Sequence, residues 1–559
     1  MRSAGRAATY GRAFLSFGLA WLTCGSVSAA EPCVVAAAPD MVCVASAADP
    51  LARVPGMSDD SRAGYAPGDL WQAGGRAWRA LSVQPGAARW APVPVARPGD
   101  VFGRHAVFAG GTMRMIGGYA GPALDVAATI AGRVRQRTIA IRPDGRFDAP
   151  ALEDALAARD AGTALVVTRI YDQTGHHHDL TALPGHAVAH IGAVRIAGQD
   201  VISWGEENGP GGFVIPADVA LPRDGFFFGA TGMVASSNSA TGAAPVLATL
   251  GQGAGAFRVF TGSYTLDGFV HLGDANGPDQ RSGFVLPSSP AAFGIGGRPD
   301  GYRLVSSDAI VAHRSVIGPG TMAGGIIGYS GQARGTALWT GIVMADAAPS
   351  DEMLRAFQAS AAAASRDLPQ QRSVFVAIGD SRTEGYLLAD GGNWPLRMQR
   401  AARFRSYNFA VSGETTRQMR AALPAVGSAA WGATRRVAAV FGGFNDHLEP
   451  DALSVGETVA NLATIVKTLK TYGFTVALIA ETNTGGSRRD AIADAAGRGT
   501  IPADIVIDPF AAGQPLFNVG DRRYWLADYT HPTAAGASVL ADAVWSRVEP
   551  TLRSPAERR

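Results

Sequence analysis

Near residue 372 the hydrophobic pattern of this 559-residue chain changes period, and that change constrains the fold more than any other feature. From about 106 to 350, short alternating runs such as Ala164–Ile170, Val194–Ile196, Phe257–Phe260 and Leu338–Met344 are punctuated by glycine and proline. A period of two with frequent turn residues and little helical periodicity predicts an antiparallel β-sandwich. A helical stretch from Asp351 to Arg366 closes that unit. Beyond 372, Val374–Ile378, Val437–Phe441, Thr475–Ala480 and Ile505–Ile507 read as short apolar strands, with helical periodicity over Val455–Tyr472 and Thr533–Val548. Apolar strands alternating with helices predict one parallel sheet covered on both faces.

A chain of this length exceeds a single core, so several units are expected. Residues 1–30 have the form of an export signal: Arg2, Arg6 and Arg12, then the apolar stretch Phe14–Leu22, then small residues through Ala30. Secretion or a periplasmic address follows as the expectation. No later apolar run is long enough to span a bilayer. Without those 30 residues and their three arginines, 46 basic residues face 47 acidic ones, so no chain-wide basic field for nucleic acid exists. Residues 31–60 form a lead-in in which Cys33 and Cys43 are close enough in sequence for a disulfide in an oxidising compartment. Residues 61–105 read as a small β-module, 106–365 as the sandwich, 366–372 as a linker and 373–555 as the α/β domain.

In an open parallel sheet, reactive groups gather at the carboxyl ends of the strands. Four short motifs are expected there: Gly379-Asp380-Ser381, Asn408 to Gly413, Gly443-Phe444-Asn445-Asp446, and Asp528-Tyr529-Thr530-His531. Acyl transfer needs these residue types. A serine hydroxyl is a weak nucleophile until a base takes its proton, and neutral histidine does this near pH 7. A carboxylate on the other ring nitrogen fixes the tautomer, and the spacing of Asp528 and His531 lets them meet within one turn. A developing oxyanion requires fixed donors, which the Ser381 and Gly413 amides and the Asn445 side chain can supply. Asn445 or Asp446 can equally cap a helix, and His447 reads as a surface residue.

Taken together, the four motifs resemble the SGNH (GDSL-type) hydrolase family over roughly 372–552. The resemblance implies a flavodoxin-like three-layer α/β fold and ester hydrolysis without metal or other cofactor. Carried over by motif, Ser381 is the nucleophile, His531 the base and Asp528 its orienting acid, with Ser381, Gly413 and Asn445 forming the oxyanion hole. Arg382 stands where many members carry an apolar residue, which bears on acyl or leaving-group preference.

The middle region carries a second resemblance. Gly118 to Val126, the run Ile170-Tyr171-Asp172-Gln173-Thr174-Gly175 and the stretch from Gly335 through Trp339 to Asp351 are similar to the catalytic domain of α-L-arabinofuranosidase B over about 106–365. That family implies a concanavalin-like sandwich and a furanosidic sugar. A retaining glycosidase needs two carboxyl groups. Here Arg298 stands where the family has its acid, with Asp300 nearby, and Gly251-Gln252-Gly253-Ala254 offers no carboxylate at the nucleophile's place. Sugar binding or a spacer role is therefore expected. His176-His177-His178 reads as an extended run whose side chains diverge, with Asp172 and Asp179 as turn residues and no metal bound. Trp71, Trp78 and Trp204 are either core residues or sugar platforms.

The expected partner is a polysaccharide or other acylated carbohydrate, and the expected activity a secreted carbohydrate esterase. Three alternatives stay open: a broad lipase or arylesterase, a bifunctional esterase and arabinofuranosidase, or a glycan-binding surface protein with a relic hydrolase domain.

Overall fold

The computed structural model describes residues 43–44, 61 and most of 70–553, leaving out short stretches of which the longest is 235–245. The export signal and Cys33 lie outside the described residues, as do the side chains of Trp71, Trp78 and Trp204. Cys43–Val44, Leu70–Ala73, Arg76–Ser82 and Arg89–Val93 form a four-stranded sheet, with the first pair parallel and the rest antiparallel.

From Ala106–Gly111 to Ala337–Ala345 the described residues form one antiparallel sheet of 18 strands, curled over a shared core. Strand Phe226–Val234 shows how a period of two sorts side chains between layers. Phe226 and Phe228 point into the inner core. Phe227, between them, stacks on Phe102 at 4.5 Å and meets Phe357 edge-on at 5.0 Å. Phe357 belongs to helix Asp351–Ala364, which closes the outer face with Leu354 and Ala361. Helix Ala149–Ala158 was not anticipated from the sequence.

Residues 366–369 lie outside the described residues, and 370–372 already belong to the first strand of the next unit, Gln370–Gly379. The strands of that unit are all parallel, in the spatial order Phe404–Asn408, Gln370–Gly379, Arg435–Phe441, Thr475–Ile479, Ile505–Ile507. This is the flavodoxin-like order, which reverses direction between the first and third strands in sequence. Alternate residues of the first strand feed two cores. Val374, Val376 and Ile378 pack with Leu462, Ile465 and Val466 of helix Val455–Thr471, while Phe375 and Ala377 pack with Leu540, Val544 and Val548 of helix Ala534–Leu552. Phe269 and Val285, in segments that connect strands of the curled sheet, join the first of these cores. Among the described residues, no helix is long and apolar enough to cross a membrane.

Edge strand Phe404–Asn408 carries Arg405, Ser406 and Asn408, which hide it from an apolar-run reading, yet all five residues are buried. Leu462 is fully buried between helix and sheet. Leu462→Ala removes a packed side chain and leaves a cavity, so unfolding free energy falls by about 2–5 kcal/mol. Urea denaturation of the two proteins checks this.

Candidate active site

The strand order reverses between the first and third strands, the point at which open α/β sheets place a ligand crevice at the carboxyl ends of their strands. The first strand ends at Gly379, where a Cβ would lie 2.5 Å from Thr383 Oγ1 and 2.7 Å from the Phe441 carbonyl, so only glycine lets the two strands converge. Asp380 caps the next turn by accepting from the Arg382 N–H at 3.1 Å. Ser381 opens the short helix Ser381–Glu384, which Gly385 ends in the left-handed conformation (φ 100°). Tyr386 then folds back so that its ring centroid lies 4.4 Å from that of His531.

Ser381 Oγ lies 2.8 Å from His531 Nε2, although 150 residues separate them in the chain. His531 Nδ1 lies 2.7 Å from Asp528 Oδ2. Asp528 Oδ1 also accepts the backbone N–H groups of Thr530 and His531, each at 3.0 Å, and Tyr529, between Asp528 and Thr530, takes a positive φ of 60°. This tight turn fixes the imidazole on the carboxylate. Partial burial works to raise the Asp528 carboxyl, but hydrogen bonds from the His531 N–H, the His531 ring and the Thr530 N–H outweigh it. The carboxyl therefore lies below its ordinary range. Such a chain can draw a proton from the serine hydroxyl and hold the resulting imidazolium.

The other two motifs flank this chain. Gly413 has a φ of 83° and open space where a side chain would stand, which leaves its N–H approachable. The preceding Ser412 donates from N–H (2.7 Å) and hydroxyl to Glu384, and Val411 N–H reaches the Gly379 carbonyl at 3.2 Å. The Gly413 loop is thus tied to the Ser381 turn. Asn445 donates from Nδ2 to the Glu414 carbonyl at 3.0 Å, which orients its amide and leaves a second N–H for another acceptor. Asp446, with no exposed surface, accepts from Thr416 N–H (2.7 Å), Thr416 Oγ1 (2.6 Å) and Thr458 Oγ1 (2.7 Å). Neither residue is a helix cap: Thr415 caps helix Thr416–Met419, and Asp446 only accepts the N–H of its first residue. His447 is exposed and bonds only the Phe444 carbonyl of its own turn.

Sequence reasoning missed the support beneath the serine. Arg382 faces no substrate: it is 1% exposed, with Nε and Nη2 on Asp380 at 2.9 and 2.6 Å, and with Nη1 and Nη2 on Glu481. Its guanidinium carbon also sits 4.1 Å from the Phe441 ring centroid. Burial opposes the charge, but Asp380 and Glu481 outweigh it and raise the pKa further. An influence of Arg382 on acyl preference by direct contact is thus excluded by its burial. Glu481 follows the fourth strand, a strand-end acid that the motifs do not cover. Glu414 is a second unexpected group, buried with both carboxyl oxygens unbonded. Burial, with repulsion from Glu384 and Asp380, pushes its carboxyl well above the usual range.

In the curled sheet, Arg298 donates to the Pro349 carbonyl and to Asp351, both at 2.6 Å, so it anchors the start of helix Asp351–Ala364. Asp300 is exposed and paired with Arg303 at 2.6 Å. The YDQTG run is largely occupied with structural bonds: Tyr171 bonds Asp125, Gln173 bonds the Met113 and Met115 backbone, and Asp172 bonds Thr174 of its own loop.

Two expectations follow from this geometry. Arg382→Met leaves Asp380 and Glu481 buried and unpaired, which lowers unfolding free energy by about 3–5 kcal/mol, read by chemical denaturation. Asp528→Asn lets the imidazole take the wrong tautomer and lowers kcat on the order of 10⁴-fold, read with an activated ester. Because the native Asp528 carboxyl is depressed, its contribution to stability is present above about pH 4 and lost as pH falls through the lower folded value. The stability gap between wild type and Asp528→Asn therefore closes on acidification, read by denaturation across a pH series.

No curated protein matches the chain. Among solved structures, an arabinofuranosidase complexed with arabinofuranosyl-α-1,2-xylobiose is similar at 18% identity and a TM-score of 0.38, covering 48% of this chain and 65% of that one, just under two thirds of its length. TesA is similar at 23% identity and a TM-score of 0.27, covering 32% of this chain and 99% of that one. The psychrotrophic esterase EstA from Pseudoalteromonas sp. is similar at 18% identity and a TM-score of 0.27, covering 32% and 97%. The model of the GDSL-like Lipase/Acylhydrolase family matches residues 377–539, the segment that holds the serine–histidine–aspartate chain. Residues 377–539 form a GDSL-like lipase/acylhydrolase domain.

Proposed function

We infer that the protein is an exported serine esterase that removes acetyl or similar short acyl groups from a polysaccharide. The observation that carries the catalytic part is the continuous chain Ser381 Oγ–His531–Asp528, with separations of 2.8 and 2.7 Å. Ser381 attacks the ester carbonyl while His531 Nε2 takes its proton. The tetrahedral oxyanion is held by the Ser381 and Gly413 N–H groups and the Asn445 amide. His531 then gives the proton to the leaving alcohol, and a water activated by the same imidazole releases the acid. Asp528 holds the ring throughout.

Export rests on the basic, apolar and small-residue order of residues 1–30. The carbohydrate part rests on the sequence resemblance of 106–365 to the arabinofuranosidase B domain. At its acid position Arg298 is committed to Asp351 and the neighbouring Asp300 to Arg303. These pairings favour a sugar-holding or spacing module over a second, glycosidic activity.

Acetate release from a panel of acetylated polysaccharides tests the whole reading. Wild type releases acetate, and Ser381→Ala does not, with unchanged circular dichroism. Removal of the oxyanion amide in Asn445→Ala lowers kcat by about 10²–10³-fold. Activity that rises with acyl chain length and ignores acetylated glycans points instead to a lipase. Arabinofuranoside cleavage that survives Ser381→Ala points to a bifunctional enzyme.

A further inference from the structure

The three-histidine run does not diverge as an extended segment would. His177 takes a positive φ of 65°, an uncommon state for a residue with a side chain, and so turns the chain between its neighbours. The rings of His176 and His178 then lie nearly parallel, 24° apart, with centroids at 5.6 Å. A ligand atom from each of them and from the buried Asp172 lies within 4.8 Å of the other two. The structure therefore gathers three groups that the sequence reading had kept apart.

The hydrogen bonds around them set both tautomers. His178 Nδ1 lies 2.7 Å from the Val107 carbonyl, which only accepts, so Nδ1 carries the proton and Nε2 carries a lone pair. Thr174 has one hydroxyl proton and directs it to the Asp172 carboxylate at 2.7–2.8 Å. Its oxygen must then accept from His176 Nδ1 at 3.0 Å, which leaves His176 Nε2 bare as well. Asp172 Oδ1 accepts the Thr174 and Ala109 N–H groups at 2.9 and 3.3 Å, while Oδ2 accepts the Thr174 hydroxyl at 2.7 Å and has only a long 3.3 Å contact with the His178 N–H, a direction that a metal ion can take. Asp218 Oδ2 stands 3.8 Å from His178 Nε2 on a side chain that is 74% exposed.

We propose that Asp172, His176 and His178 bind a divalent transition-metal ion of the zinc type, with Asp218 or water as fourth ligand. Two imidazoles and carboxylate oxygen suit zinc, and a proton held on the distal ring nitrogen by a carbonyl or hydroxyl is the usual support for such a ligand. With Asp218 as the fourth ligand, the ion would fasten the loop after strand Val166–Ile170 to strand Phe213–Pro222, acting as a structural clamp. It is independent of the esterase reading.

The test uses the full chain, stripped with chelator and then given zinc alone, with metal content and Tm as readouts. One ion is retained per chain, and Tm rises. His176 is exposed, so His176→Ala keeps the fold, and it weakens zinc binding at least about tenfold and abolishes the Tm rise. His178→Ala does the same, and Asp218→Asn weakens binding to a smaller degree. Because Asp528 and His531 could also take zinc, His531→Ala serves as the control and retains the ion. Equal zinc retention by His176→Ala and wild type, no retention by wild type, or loss in His531→Ala alone overturns the proposal.

Discussion

Arg382 lies with its guanidinium between two carboxylates, Asp380 beside it and Glu481 at the end of the fourth strand, in a space closed to water. Three charges buried together are costly unless each is matched, and the planar fork of arginine matches two carboxylates at once. The consequence is geometric. Asp380 caps the turn that carries Ser381, so the same ion cluster joins the serine to a strand two places away in the sheet. Aromatic faces of Phe441 and Phe444 cover the cation, at 4.1 and 5.1 Å from their centroids. They belong to the segment that leads into Asn445. The two strand ends that flank the crevice are thereby held by one buried arrangement.

On that base, the loops are linked to one another by polar contacts. Glu384 holds Ser412, and the Glu414 carbonyl holds Asn445. Asp446 holds Thr416 and Thr458. Oxyanion donors are useful only if they do not have to reorganise during the reaction, and this network supplies fixed orientation. Glu414 is the exception to full satisfaction, since its side chain has no hydrogen-bond partner and its neighbours Glu384 and Asp380 disfavour its ionisation.

The curled sheet shows how position decides the meaning of a charged side chain. Arg298 occupies the place of an expected acid and anchors a helix through Asp351. Phe269 and Val285, beside strands of the same sheet, enter the core shared with Phe409 and Val426. These two side chains thus pack on the hydrolase core next to Phe409, which leads into the Gly413 loop.

By itself the sequence determined the two architectures and the kinds of chemistry available, because hydrophobic period is a local property of the backbone. It also brought Asp528 to His531, since a carboxylate and an imidazole three positions apart can meet in one turn. Strand Phe404–Asn408 was not legible, because its polar residues break the apolar run and only tertiary cover buries them. Nor was the partner of Arg382, which lies 99 residues away, nor the approach of His176 to Asp172, which depends on a left-handed turn at His177. Only the tertiary structure decided the burial of that strand and the partner of Arg382, because long-range polar pairing is set by which strand ends lie side by side, and strand order is not written in any one segment.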